Sequence, residues 1–251
     1  MAAAGVTVIG HRGASDEAPE NTLPAFRRAL ELGADGFEFD VQLTADGQPV
    51  VIHDAVLDRT TTGSGPVAAA SSDQIRALDA GGWFAPAFTG ERVPTLEAVL
   101  ALPAAVFELE IKSWGRQVLD AVLSAVDAAD VFGRVKFTGW NHPMLCRLKA
   151  ERPDACLGLF AQRPQPWMTD AVFEHYILGT AETAGFDVAH VYAGAISEPI
   201  VAGLHQLGYT VHANDAVGRD GILRALDVGV DSISTNEVAL AMTLTAGTGQ
   251  A

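Results

Sequence analysis

Short apolar and β-branched runs alternate along the chain with longer amphipathic runs. That rhythm predicts βα units around a parallel sheet. Strands are expected at Val6–Gly10, Phe37–Leu43, Val106–Ile111, Val135–Thr138, Cys156–Phe160, Asp187–Tyr192, Thr210–Ala213 and Ser232–Ser234. Eight strands with helices between them favour a closed barrel over an open sheet. The expected fold is therefore α/β, a TIM (β/α)8 barrel. A helix over Leu23–Leu32 follows Asn21-Thr22, which can cap it, and stops before Gly33; one over Ile196–Leu207 stops before Gly208 in the same way. The rhythm fails once. Residues 54–92 are rich in Gly, Ser and Thr, carry Trp83, Phe84 and Phe88, and read as a small cap-like insertion after strand two. Insertions after a barrel strand fall at the C-terminal face, where barrel active sites lie. Residues 1–251 are expected to form one domain, and Ala246–Ala251 read as a frayed tail.

Composition narrows the partners. The 251 residues are 49% hydrophobic, enough for a substantial core, and the net charge is −15. Nucleic acid and anionic membranes would be repelled by so acidic a surface. An anionic substrate would need local positive charge, from a bound metal or a few placed Arg and Lys. Two cysteines, Cys146 and Cys156, are too few for a disulfide framework and read as packing residues. Met1–Gly5 lacks the basic start of a signal peptide, and no stretch of about 18 apolar residues occurs. A cytoplasmic protein without stable membrane association is expected.

Chemistry enters at the strand ends. In Phe37-Glu38-Phe39-Asp40-Val41 the period of two puts Glu38 and Asp40 on one face and the phenylalanines on the other. In a barrel the apolar face meets the helices, so both carboxylates point inward. Two such charges repel, and a divalent cation is the common cure. Asp46-Gly47 signals a hairpin. Centring it there pairs Ala45 with Gln48 and sets His53 opposite Asp40, on the same side of the ladder. In the third strand Glu108, Glu110 and Lys112 share a face; Glu110 can join as a third oxygen ligand, and Lys112 lies where it could meet a phosphate. Strand one ends in Gly10-His11-Arg12-Gly13, with glycines that admit close backbone approach and an Arg fork suited to phosphate.

The segments His11-Arg12-Gly13-Ala14, Pro19-Glu20-Asn21-Thr22, Glu38 to Gly47 and Val50-Val51-Ile52-His53-Asp54 resemble the glycerophosphodiester phosphodiesterase family. Leu57 to Gly65, Pro94-Thr95-Leu96-Glu97, Glu110-Ile111-Lys112 and Gly229 to Thr235 continue the likeness over nearly the whole chain. The resemblance implies a TIM barrel with a small cap and a Mg²⁺ or Ca²⁺ ion on Glu38, Asp40 and Glu110. It implies an acid/base pair of His11 and His53, with Arg12 and Lys112 on the phosphate. The implied reaction is hydrolysis of a glycerophosphodiester, such as glycerophosphocholine or glycerophosphoethanolamine, to sn-glycerol 3-phosphate and an alcohol. Which histidine is the base stays open.

The second half departs from the family pattern. Gly139-Trp140 stands where Ser-Phe is usual, Val211-His212-Ala213-Asn214 where Trp-Thr-Val-Asn is common, and Thr235-Asn236 in place of Thr-Asp. Trp140, His212 and Asn214 are candidate pocket residues, and the leaving alcohol is left open. His142, His175, His190 and His205 read as structural or surface residues. Two rivals remain: a lysophospholipase D-like lipid phosphodiesterase, which would need an apolar rim, and a non-catalytic phosphodiester-binding barrel.

Overall fold

The computed structural model describes residues 5–248. The reading of Met1–Gly5 falls almost wholly outside them. Eight parallel strands close into a barrel in the order β1 (Thr7–His11), β2 (Gly36–Leu43), β4 (Val106–Ile111), β5 (Val135–Thr138), β6 (Cys156–Phe160), β7 (Val188–Tyr192), β8 (Thr210–Asn214) and β9 (Ser232–Thr235). β9 returns to β1 through Thr7–Ser232 and Gly10–Thr235 pairing. A short β3 (Pro49–Val51) folds back antiparallel on β2.

Helices α1 (Leu23–Glu31), α3 (Leu96–Leu100), α4 (Arg116–Ala128), α5 (His142–Glu151), α6 (Asp170–Ala184), α7 (Glu198–Gln206), α8 (Gly218–Asp227) and α9 (Val238–Thr248) surround the strands. The tail expected from Ala246 is thus helical as far as Thr248, and the rest of it lies outside the described residues. No described helix is long and apolar enough to cross a membrane.

Alternation works as expected. Phe37, Phe39 and Phe107 turn outward and pack with Phe26 of α1, the Phe26 and Phe37 rings stacking at 4.4 Å. Truncating one of these rings would cost about 3–5 kcal/mol. Helix α1 ends as predicted, with Gly33 at φ +95° behind its last turn. Its start differs. Thr22 makes no cap hydrogen bond, because its hydroxyl donates to the Pro19 carbonyl at 2.6 Å. Asn21 is drawn away to Asp40, as described below.

The hairpin differs by one residue. Val41 pairs with Val51 and Leu43 with Pro49, and the Thr44 N–H donates to the Gln48 carbonyl at 3.0 Å. The loop is Ala45-Asp46-Gly47, with Gly47 at φ +77° taking the left-handed place that three-residue loops need. Asp40 therefore faces Ile52, whose N–H reaches its carbonyl at 2.9 Å, and not His53. His53 still swings toward the carboxylates because β3 ends at Val51 and the chain bends. Gln42 holds that bend, its amide donating to the carbonyls of His53 and Asp54 at 2.9 and 2.6 Å.

Residues 54–92 contain a one-turn helix, α2 (Ser72–Arg76), with a capping box between Ser71 and Gln74. Leu57, Val67, Ile75 and Ala80 form a separate buried cluster there against Val50, Ile52 and Val93.

Candidate active site

Glu38, Asp40 and Glu110 project from adjacent strands β2 and β4, where Asp40 and Glu110 are register partners. All three are buried, and one oxygen of each lies within 4.8 Å of the other two. Burial pushes Glu38 well above the ordinary carboxyl range, with Asp40 adding repulsion. Glu110 is pushed up to about 7, first by burial and then by Asp40. Burial works the same way on Asp40, but Lys112 and then Arg12 outweigh it and hold the carboxyl below its ordinary value. The Lys112 ammonium stands 2.9 Å from Glu110 and 3.3 Å from Asp40. The Asp40 oxygen that Lys112 faces, Oδ1, nevertheless accepts no hydrogen bond. A buried anionic oxygen left this way suits a cation, and an all-oxygen donor set suits a hard divalent one.

His11 closes β1. Its Nδ1 lies 2.8 Å from the Asn236 amide oxygen, so Nδ1 carries the proton and Nε2 is free. Nε2 stands 3.8 Å from Glu38 and 3.9 Å from Asp215. Burial, then the Arg12 charge, lowers the His11 pKa below its ordinary value. Arg12 is left-handed at φ +55°, a strain tolerated where function demands a particular backbone. Its N–H donates to Glu38 at 3.0 Å, and its guanidinium reaches Glu20 at 2.8 Å and Asp40 at 3.4 Å. Gly13 must follow, because a Cβ there would lie 2.5 Å from the Ala25 backbone.

His53 follows β3 and approaches the same carboxylates closely enough to act on Asp40. Its Nδ1 is 2.6 Å from Asp54 Oδ1. A carboxylate accepts only, so Nδ1 again carries the proton and Nε2 is left for exchange. The seven residues expected at one rim are thus together. Trp140 and Asn214 also line a cavity of about 170 Å³ over the carboxylates, with Phe160, Arg163 and Asp215. His212 does not line it; the ring is fully buried beneath.

The profile of the glycerophosphoryl diester phosphodiesterase family matches residues 11–240. A glycerophosphodiester phosphodiesterase of Caldanaerobacter subterraneus is 36% identical over 238 residues, covering 92% of this chain and 93% of that protein. A Bacillus subtilis enzyme of the same name is 30% identical over 250 residues, covering 92% and 83%. The crystal structure of the Agrobacterium tumefaciens glycerophosphodiester phosphodiesterase superposes with a TM-score of 0.80 at 26% identity, covering 95% of this chain and 99% of that one. The chain belongs to this family.

Membership makes it an enzyme, a phosphoric diester hydrolase acting on glycerophosphodiesters. The supports of its site are what the sequence concealed. Asn21, left-handed at φ +56°, donates its amide to Asp40 at 2.8 Å and accepts the Asp40 N–H at 3.2 Å. Arg59, from the insertion, grips Glu20 at 2.7 and 2.8 Å and Asp54 at 2.7 and 2.9 Å. A line of alternating charge therefore runs Asp40, Arg12, Glu20, Arg59, Asp54, His53, tying both ends of the site together. Asn236, one of the departures from the family pattern, turns out to hold His11. His190, read as structural, lies against Glu108 at 3.2 Å, and His212 lies 3.6 Å from the same carboxylate.

Proposed function

We propose that the enzyme is a single-domain barrel that hydrolyses small glycerophosphodiesters to sn-glycerol 3-phosphate and an alcohol, with a divalent cation and the histidines His11 and His53. Residues 54–92 serve as a cap whose Arg59 braces the site. The observation that carries the reading is the convergence of three buried carboxylates, one of them with an oxygen that accepts no hydrogen bond, between two histidines that each keep a free Nε2.

Glu38, Asp40 and Glu110 would hold Mg²⁺ or Ca²⁺. Bound there, the cation would neutralise charge on the phosphate as it grows in the transition state. Arg12 and Lys112 stand within 3.4 Å of Asp40 and would turn to the phosphate oxygens. No side chain at the rim is an evident nucleophile. The glycerol 2-hydroxyl, held near phosphorus by its own ester, would attack, an intramolecular step with prepaid entropy. His11, kept neutral by burial, would take the hydroxyl proton at Nε2. His53 would give its Nε2 proton to the departing alcohol oxygen as that P–O bond breaks. Water would then open the cyclic phosphate, the two rings exchanging roles.

The test is release of glycerol 3-phosphate from glycerophosphocholine with and without chelator. Chelator-sensitive release supports the reading; undiminished release in metal-free protein overturns it. A glycerol 2-deoxy analogue should bind comparably and turn over far more slowly, and equal turnover would favour direct attack by water.

One observation favours a second reading, a lysophospholipase D-like activity. Trp114, Trp140 and Trp167 follow β4, β5 and β6, and Trp83 lies in the insertion, so all four stand on segments after strand ends. They are 74%, 52%, 71% and 43% exposed. Tryptophans so placed suit an acyl chain or a zwitterionic interface. Faster cleavage of lysophosphatidylcholine than of glycerophosphocholine would make this the main activity.

A further inference from the structure

Beneath the carboxylate trio lies a second cluster that the reaction does not use. Glu108 on β4, His190 on β7 and His212 on β8 point into the barrel, each fully buried or nearly so. One potential ligand atom from each lies within 4.8 Å of the other two. His190 Nδ1 stands 3.2 Å from Glu108 Oε1, and His212 Nδ1 stands 3.6 Å from Oε2. Donors around a tetrahedral ion with bonds of about 2.1 Å sit about 3.4 Å apart, close to the His190–Glu108 distance.

The cluster is short of partners. Glu108 Oε2, both nitrogens of His190 and Nε2 of His212 are buried with no hydrogen bond. Buried polar atoms are rarely left this way. Gly158 on β6 makes the room, since a Cβ there would lie 2.5 Å from His190 Nε2. Ser232 lies 2.8 Å from His212 Nδ1 and holds that nitrogen, which leaves the buried Nε2, without a hydrogen bond, to ligate. Lys136, beside Glu108 in register, is the competing cation.

We propose that Glu108, His190 and His212 form a second metal site, for a borderline transition ion such as Zn²⁺, under the pocket floor. Two imidazoles and one carboxylate select such an ion, whereas the three carboxylates above select a hard one. Glu108 also lines the substrate cavity, so the ion has a route in.

Cobalt titration tests this. With excess Mg²⁺ present, the wild-type protein takes up Co²⁺ with the intense visible bands of tetrahedral nitrogen-bearing coordination, and Zn²⁺ displaces it. The Asp40→Asn protein, altered in the upper site alone, gives the same bands, so failure of the upper-site reading does not affect this result. His190→Asn and His212→Asn lose them while keeping cooperative thermal melts by circular dichroism. Absence of the bands in wild type, or their persistence in either variant, overturns the proposal. Should those variants not fold, X-ray absorption of the zinc-loaded His11→Ala/His53→Ala protein decides. Two imidazoles in the nearest shell support the site; an oxygen-only shell overturns it.

Discussion

The arc from β1 to β4 and the wall from β5 to β8 are built from different materials. The arc supplies His11, Arg12, Glu38, Asp40, His53, Glu110 and Lys112, nearly all charged and nearly all gripped by one another. The wall supplies Trp140 stacked on Phe160 at 5.3 Å, with Asn214 nearby. An arc of that kind can bind a cation and move protons. At the cavity, a wall of aromatic faces recognises and excludes. Chemistry and specificity are therefore separable along the chain, and variants in the two halves should fail in different ways.

The largest difference should come from removing the cation. EDTA should abolish turnover and Mg²⁺ or Ca²⁺ should restore it, while Asp40→Ala should weaken metal binding measured by calorimetry. Turnover that survives exhaustive chelation would leave the arc without its proposed centre. Next come the histidines. His11→Ala and His53→Ala should each lower kcat by about 10²–10⁴, the usual range for general acid–base groups. The double variant should lose less than the product of the two, because the pair acts as a unit. Unchanged thermal melts must accompany the loss. A single variant with near wild-type kcat would remove that residue from the mechanism.

The wall should respond more mildly and in KM. Trp140 stacks on Phe160 at the cavity edge, and its other face would suit a cationic alcohol. Trp140→Ala should raise KM for glycerophosphocholine by roughly tenfold, from about 1–1.5 kcal/mol of lost contact, with kcat largely kept. Glycerophosphoethanolamine, with a more hydrated ammonium, should be less affected. An equal fall in kcat for both substrates would show that the wall takes part in chemistry, and the division between the halves would collapse.

How legible all this was follows the same division. The strands were read to within a residue or two because inward polar and outward apolar positions alternate in a closed barrel; Glu38, Asp40 and Glu110 announced themselves that way. His53 was reached by a faulty route. The two-residue loop assumed for Asp46-Gly47 is three residues long, and the bend held by Gln42, not the ladder, brings His53 round. The supports were hidden because they act across long sequence distances. Arg59 grips Glu20 from 39 residues away, and Asn236 meets His11 from 225 away. Asn21 looked like a helix cap, a local role, while its partner Asp40 is distant. His190 reads as structural along the sequence, although it and His212 hold the same position in their strands and pair in register. Stacking the inward positions of all eight strands against Glu108 would have found them.

The smallest expected effect lies in the bracing of the arc, at Glu20. Burial alone would raise its pKa, but hydrogen bonds from Arg59 and the Arg12 charge outweigh it and hold the carboxyl below its ordinary value of 4.5. In the unfolded chain those partners are gone. The folded pKa is thus depressed, so the stabilisation is present above about pH 4.5 and is lost as pH falls through the folded value. Glu20→Gln removes the charge at every pH. Its cost in thermal stability should therefore be greatest near pH 7 and shrink as pH falls from about 4.5 toward the folded pKa, below which the wild-type carboxyl is neutral too. Its size should be modest, about 1–2 kcal/mol, because Arg59 is 44% exposed and solvent screens its part. Urea titrations of both proteins at pH 4 and pH 7 give the comparison. A penalty that stays constant, or grows toward acid, would mean that Glu20 braces Arg12 through shape alone and that the line of charge from Asp40 to His53 carries no energy.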